Sequence, residues 1–309
     1  MTTPTAAPLR RSAHFVPGAN ERMLHKALAT AADTLILDLE DAVTPQNKDS
    51  ARRTVADWLH SVDFGVQERT VRMNPLASPW GLKDMEATME APPDNYVVPK
   101  VSTLDELMAI DAQLTELESR YGHPTGGVGL ILVATETPLG ALNLPTFSAC
   151  PRVRALSWGA EDLSAALGAP RNRRPDGSYL DTYRYCRVQT LLAAGAGNVQ
   201  PIDTVFVDIR DSAALAAECE EAAWMGYTGK ITIHPDQIDI VNAAFTPAEA
   251  VVAEAQELLA LFEEEQAAGR MAFSFRGQMV DAPHLERARR IVARAAQIEA
   301  RSGTAPGTG

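Results

Sequence analysis

Cysteine is scarce. The chain has three, Cys150, Cys186 and Cys219, and no two of them form a CxxC pair. An odd, scattered set is not a disulfide framework and points to a reducing compartment. Positive charge is in deficit, with 28 Lys and Arg against 40 Asp and Glu for a net −12. That balance argues against a nucleic-acid partner, which would call for a basic stripe. No apolar run reaches the roughly 18 residues of a membrane span. The opening MTTPTAAPLRR has no apolar core behind its charges, so it is not a secretory leader. The expectation is a cytoplasmic protein with a disordered lead-in over residues 1–10. The six histidines show neither HExxH nor HxxEH spacing, which speaks against a zinc hydrolase. GGVG (Gly126–Gly129) precedes a strand-like run, whereas a dinucleotide fingerprint must follow one.

What is present is a repeat. Eight short apolar, β-branched runs end abruptly in polar residues: Ala13–Val16, Thr34–Leu39, Thr70–Met73, Tyr96–Val98, Val128–Ala134, Ala155–Trp158, Thr204–Val207 and Lys230–Ile233. Helix-like stretches lie between them, among them Glu21–Ala32, Lys48–His60, Leu104–Tyr121, Thr182–Ala194 and Ser212–Met225. Gly195 and Gly226 stand where helix C-caps belong. Strand alternating with helix implies a parallel sheet, and eight repeats imply closure into a (β/α)8 TIM barrel over residues 11–245. At 309 residues the chain can bury a core of that size without a staple. After His234 the pattern changes. Pro247 opens a long helix over 248–268, then come the β-like MAFSFRGQMVD and a final helix from about Pro283 to Ala300. The block 246–301 reads as a C-terminal helical lid or oligomerisation arm, and 302–309 as a disordered tail.

Active sites of such barrels form at the C-terminal ends of the strands. Behind the successive runs stand Pro17-Gly18, Glu40-Asp41, Arg72 with Asn74, Lys100, Glu136, Glu161-Asp162, Asp208 and His234. Several acids and two cations are thus predicted on one rim, where charge cannot stay unpaired. A divalent cation resolves the repulsion. Oxygen donors without a Cys or His cluster select Mg²⁺, or Mn²⁺.

Each candidate also has a plainer reading. Glu136 and Asp162 are the kind of acid that favours a helix N-terminus, and Glu161 fits that role best. Arg72 can pair structurally with Glu40, Asp41 can act as a cap, and His234 before Pro235 can be a packed, hydrogen-bonded residue. The arginines of APRNRRPDG (Arg171, Arg173, Arg174) can meet a phosphate or belong to a mobile surface loop. Asp281, before Ala-Pro, reads on its own as a helix cap. The acids gathered on one rim favour a site over a row of caps.

The pieces RRSAHFVPGANER, LILDLEDAV, VRMNP, VVPK, LILVATETPLG, SWGAEDLSAALG, VFVDIRD, GYTGKITIHPDQI and AFSFRGQMVDAP run from Arg10 to about Arg294. In this order and spacing they resemble the citrate lyase β-subunit-like family of the HpcH/HpaI aldolase and citrate lyase superfamily. The last two pieces resemble the stand-alone citramalyl-CoA lyases within it. The resemblance implies a metal held by Glu136 and Asp162, a substrate-binding and catalytic arginine at Arg72, and Glu40 and Asp41 ordering metal-bound water. It implies coenzyme A contacts at Phe15, Arg22 and Lys26, the last two sharing one helix face near its N-terminus. Ile231 and Thr232 match a stretch that contacts substrate. His14 stands where relatives usually carry an aliphatic residue. Asp281 matches a catalytic acid that reaches a neighbouring subunit's site, which implies a homo-oligomer, commonly a trimer.

The implied reaction is a retro-Claisen cleavage of a 3-hydroxyacyl-CoA to acetyl-CoA and a 2-oxo acid. The alternatives are the citryl-carrier-protein lyase β subunit of a citrate lyase complex, and a malyl-CoA thioesterase or malate synthase activity on the same parts. A 2-oxo-acid aldolase without coenzyme A would not require Arg22 and Lys26.

Overall fold

The computed structural model describes residues 8–267 and 272–303, and the chain divides into two compact units between Asn242 and Ala243. Of the disordered ends expected at 1–10 and 302–309, residues 1–7 and 304–309 lie outside the described residues, whereas Arg10 is fully buried and the last helix runs to Gly303.

The first unit is a closed barrel of eight parallel strands, each paired with the next in sequence. They are β1 (Ser12–Pro17), β2 (Thr34–Asp38), β3 (Glu68–Arg72), β4 (Asn95–Val98), β5 (Gly129–Val133), β6 (Val153–Ser157), β7 (Gln200–Asp203) and β8 (Gly229–Thr232). The ring closes where Ser12, Ala13 and His14 lie opposite Lys230, Ile231 and Thr232. Strands covered on both faces are read as unbroken apolar runs, as TLIL of β2 and GLILV of β5 show.

The barrel interior is layered. At its N-terminal end Arg10 is fully buried and grips Glu68 at 2.7 Å and Gln200 at 2.8 Å, with Thr34 and Asn95 donating to the same Glu68. Above this polar plug lies an apolar layer that includes Ala13, Ile36, Val97, Ile131, Ala155, Ile202 and Ile231. Filled below, the barrel leaves its C-terminal mouth as the place for chemistry.

Two expectations shift. The seventh strand is Gln200–Asp203, four residues before the β-branched run Thr204–Val207. Its Asp203 is fully buried outside the barrel among the Lys230 ammonium (2.9 Å), the Trp158 indole N–H (2.7 Å) and Arg187 (3.3 Å). These charges set the strand's place, and residue-type preference does not register them. Gly195 lies inside a helix, Asp181–Gly197, that is closed instead by Asn198 in the left-handed conformation. Gly226 does cap the helix Ser212–Met225, with φ of 112°.

The second unit holds a helix Glu249–Ala267, a hairpin of β9 (Phe273–Phe275) and β10 (Gln278–Val280), and a helix Ala282–Gly303. Arg276 and Gly277 both have positive φ, the mirror-image turn that matches strand twist in a two-residue hairpin. Phe262, Phe273, Phe275, Val280 and Leu285 form its core.

All three cysteines are free and buried. Among the described residues no helix is long and apolar enough to cross a membrane.

Candidate active site

A cavity of about 400 Å³ opens at the barrel mouth, lined among others by Phe15, Asp38, Asp41, Arg72, Glu136, Asp162 and Ile231. Strand register builds it. Asp38 and Arg72 end adjacent strands directly opposite each other, and Val133 and Ser157 do the same on the far side.

Arg72 is the fixed cation of the mouth. Its guanidinium makes two bonds to Asp38, at 2.7 and 2.6 Å, forms an ion pair with Glu40 at 3.0 Å, and lies 4.5 Å from the Phe15 ring centre. Burial works against its charge, but the bond and charge of Asp38, with Glu40 and Asp41 behind, prevail and raise its pKa above the ordinary value. Pairing with Glu40 was legible in the sequence. Asp38 was not named as a site residue, although the fork rests on it; its signal was its position at the strand end, in register with Arg72.

The turn carrying Glu40 and Asp41 is braced from beneath. Buried Lys48 donates at 2.7 Å to the Leu39 and Glu40 carbonyls and to Asn74 Oδ1. Asn74 is therefore turned away from the mouth, and Asp84 holds it through both its backbone and its side-chain amide. Nothing in the spacing of Lys48 announced this.

Glu136 and Asp162 follow neighbouring strands. Glu136 is buried, its Oε2 accepting the Lys100 N–H at 2.7 Å, while Asp162 in the first turn of the helix Ala160–Ala166 is partly exposed. The Lys100 ammonium is 3.5 Å from Asp162 and 3.1 Å from Asp41, and it bonds Glu40. Burial, together with the charge of Asp162, pushes the Glu136 carboxyl up to about 8, against the pull of the Lys100 N–H. The charge of Lys100 offsets that rise only in part. No group of three or more His, Cys, Asp or Glu among the described residues is arranged to hold a metal by itself. Two carboxylates with room beside them fit Mg²⁺, which keeps several waters and takes one or two protein oxygens plus those of a substrate.

Gly159 lets these loops meet. A Cβ at this position would lie 2.6 Å from Glu136 Cγ. Gly159→Ala is therefore expected to leave the fold intact by circular dichroism while displacing the Glu136 carboxylate. Turnover should fall about 10²-fold, as for a displacement on the order of 1 Å in a catalytic group. Unchanged kcat would mean that the Glu136 position is not critical.

Other predicted residues are spread further. Arg22 and Lys26 are exposed on the helix Glu21–Leu28 that follows β1. Ile231 faces the barrel interior, whereas Thr232 next to it is buried with its hydroxyl 3.0 Å from His14 Nδ1. Asp208 is exposed and lines a separate cleft, a consequence of the earlier end of β7. In that cleft Arg173 lies 3.7 Å from the Tyr179 ring centre and pairs with Glu218 at 2.6 Å, so the arginine-rich loop is tied down. His234 accepts the Asp236 N–H as a cap, and Glu161 accepts from Asn172. Asp281 is carried by the second unit, where its Oδ1 is 2.7 Å from His284 Nδ1 and its carbonyl accepts the His284 N–H.

His14 carries a pH signature. Burial, with the charge of His234 added, lowers its pKa from 6.5 to about 4, and the bond to Thr232 offsets this only in part. The unfolded chain therefore takes up this proton first. The stability His14 gives as a neutral group is whole above about pH 6.5 and drains as the pH falls toward 4, by up to about 3 kcal/mol. In urea titrations His14→Leu should flatten the curve of stability against pH across that window. An unchanged slope would assign the acid sensitivity elsewhere.

Closed barrel, anionic mouth, fixed arginine and open carboxylate pair together define a (β/α)8-barrel protein with an acid-rich site at its C-terminal mouth. The chain belongs to the HpcH/HpaI aldolase/citrate lyase family, whose sequence profile matches residues 11–235. It is 36 % identical over 291 residues to a (3S)-malyl-CoA thioesterase of Cereibacter sphaeroides, covering 94 % of this chain and 96 % of that protein. It is 34 % identical over 305 residues to the mitochondrial citramalyl-CoA lyase of Mus musculus, covering 94 % and 87 %. Among solved structures it is similar to the CitE protein of Mycobacterium tuberculosis in complex with magnesium, acetoacetate and coenzyme A. There the TM-score is 0.74 and the identity 34 %, covering 94 % of this chain and 99 % of that one.

Proposed function

We propose that this protein is a Mg²⁺-dependent carbon–carbon lyase. It cleaves a 3-hydroxyacyl-CoA of the citramalyl or malyl type into acetyl-CoA and a 2-oxo acid. The observation that carries the reading is the placement of the Glu136–Asp162 pair and the Arg72 fork in one mouth. Mg²⁺ held by Glu136 and Asp162 would polarise the hydroxyl and carboxylate oxygens at the 2-oxo-acid end of the substrate.

The remaining work falls to the chain's own groups. As the hydroxyl gives its proton to solvent water and becomes a carbonyl, the electrons of the broken C–C bond pass to the thioester, giving an enolate. Arg72 would supply the fixed positive charge that this oxygen needs. Asp281 of a neighbouring subunit donates the proton that turns the enolate carbon into the methyl of acetyl-CoA. Glu40 and Asp41 order water around the metal. Phe15, Arg22 and Lys26 hold coenzyme A, and Ile231 and Thr232 border the acyl end. This reading makes the protein a homo-oligomer, a trimer, acting in the cytoplasm.

The similarity to a malyl-CoA thioesterase supports a second reading, hydrolysis of the thioester on the same site. The purified protein decides between them with (S)-citramalyl-CoA and (S)-malyl-CoA, each with Mg²⁺ and with chelator. Metal-dependent acetyl-CoA plus a 2-oxo acid is the expected result. Free coenzyme A without acetyl-CoA would establish the thioesterase. No turnover of either would overturn both and direct attention to an acyl group on a carrier protein.

A further inference from the structure

Lys100 has no task in the reaction above, yet it is the most connected residue of the mouth. Its backbone lies in the left-handed region, with φ of 55°, a conformation that residues with a Cβ seldom adopt and that gathers at functional sites. From there its N–H bonds Glu136, while its ammonium bonds Glu40 and Asp41 and reaches Asp162 at 3.5 Å. One residue therefore touches four acids of the mouth, Glu136, Glu40, Asp41 and Asp162. The charges explain why it is needed. Arg72 satisfies Asp38 and takes a share of Glu40, so Lys100 is the cation within reach of Asp162 among the described residues.

We propose that Lys100 is a built-in competitor of the divalent cation, a placeholder that neutralises Asp162 until the metal claims it. The inference rests on Glu136 and Asp162 being the metal ligands, as proposed above. An ammonium offers one charge at 3.5 Å, whereas Mg²⁺ brings two to direct oxygen contact at roughly 2.1 Å. The exchange therefore runs forward. It is cheap for the lysine, because Glu40 and Asp41 keep its charge paired after Asp162 is released. The competition lowers the metal affinity of the empty site and lets a chelating substrate complete it. Lys100 is thus a positioning residue, acting on the metal through Asp162.

The test is calorimetric titration of Mg²⁺ into the wild type and Lys100→Met, without any acyl-CoA. Lys100→Met is expected to bind Mg²⁺ at least about 10-fold more tightly, since an opposed unit charge within about 4 Å is removed. Lys100→Arg should stay near the wild type. Equal or weaker binding by folded Lys100→Met overturns the proposal. If neither protein binds Mg²⁺, the metal reading itself has failed, a different result from equal binding by both.

A second measurement needs no variant. The chain has five lysines, of which Lys26 and Lys83 are exposed and serve as internal references. Reductive methylation read by peptide mass spectrometry should show Lys100 more reactive at saturating Mg²⁺ than in chelator, against constant references. Unchanged reactivity of Lys100 at a concentration where calorimetry shows Mg²⁺ bound overturns the placeholder role.

Discussion

Asp281→Asn is expected to lower turnover by about 10²–10⁴-fold while leaving Mg²⁺ and coenzyme A binding near the wild-type level. In the proposed reaction the acid's one duty is to pass a proton to the enolate carbon, and an amide cannot do so. Its structural duties are ones that Asn keeps. The Asp281 carbonyl, which accepts the N–H groups of His284 and Leu285 at the start of the last helix, is untouched by the substitution. The side-chain amide of Asn can still hydrogen-bond His284 Nδ1, which lies 2.7 Å from Oδ1. A drop in kcat with KM held separates proton transfer from a merely folded-state defect. Retained wild-type activity would assign the proton to another group. Mixing decides whether the acid works across subunits: Asp281→Asn co-refolded with a variant lacking Arg72 should regain activity in heteromers. No recovery in demonstrated heteromers would place Asp281 in its own chain's reaction.

Arg72→Met should damage activity and fold by separable amounts. Loss of a fixed donor at a developing oxyanion costs on the order of 10²–10³ in rate. Loss of the fork also strands the buried carboxylate of Asp38, while Glu40 keeps its bond to Lys100, and breaking a buried pair from one side costs about 3–5 kcal/mol. The stability loss is read from urea midpoints and the rate from product formation. Adding Asp38→Asn should recover much of the stability, because one stranded charge is gone, and none of the rate. Arg72→Lys should behave in between, since an ammonium keeps the charge without the planar fork. Full recovery of turnover in the Asp38→Asn, Arg72→Met double variant would remove Arg72 from the chemistry.

The barrel was legible because its signal is repeated and local. Seven of the eight apolar runs overlap the strands they predict, and polar residues mark each strand's end. The exception is instructive. Thr204–Val207 has the stronger strand composition, but the strand is Gln200–Asp203, set by long-range charge pairs of Asp203 with Lys230 and Arg187. That four-residue shift also moved Asp208 out of the mouth. At the site, the acids and Arg72 could be read from their places after strands. Their supports could not. Lys48 and Asn74 act through backbone carbonyls and a buried amide, and only the folded turn brings those groups together. Asp38 was hidden for a different reason: the motif that singles out Glu40 and Asp41 says nothing about which acid the arginine fork takes.

The buried cysteines have a practical consequence for the choice between lyase and thioesterase. Burial pushes the Cys186 thiol up to about 11 and the Cys219 thiol to about 12, and Cys150 is raised as well. Thiolate is the species that reacts with disulfide reporters, so the native protein should contribute almost no background colour at neutral pH. Acetyl-CoA has no free thiol and coenzyme A has one. A thiol reporter added directly to a turning-over sample can therefore count hydrolysis in real time against a silent enzyme, and cleavage to acetyl-CoA would leave the same cuvette dark.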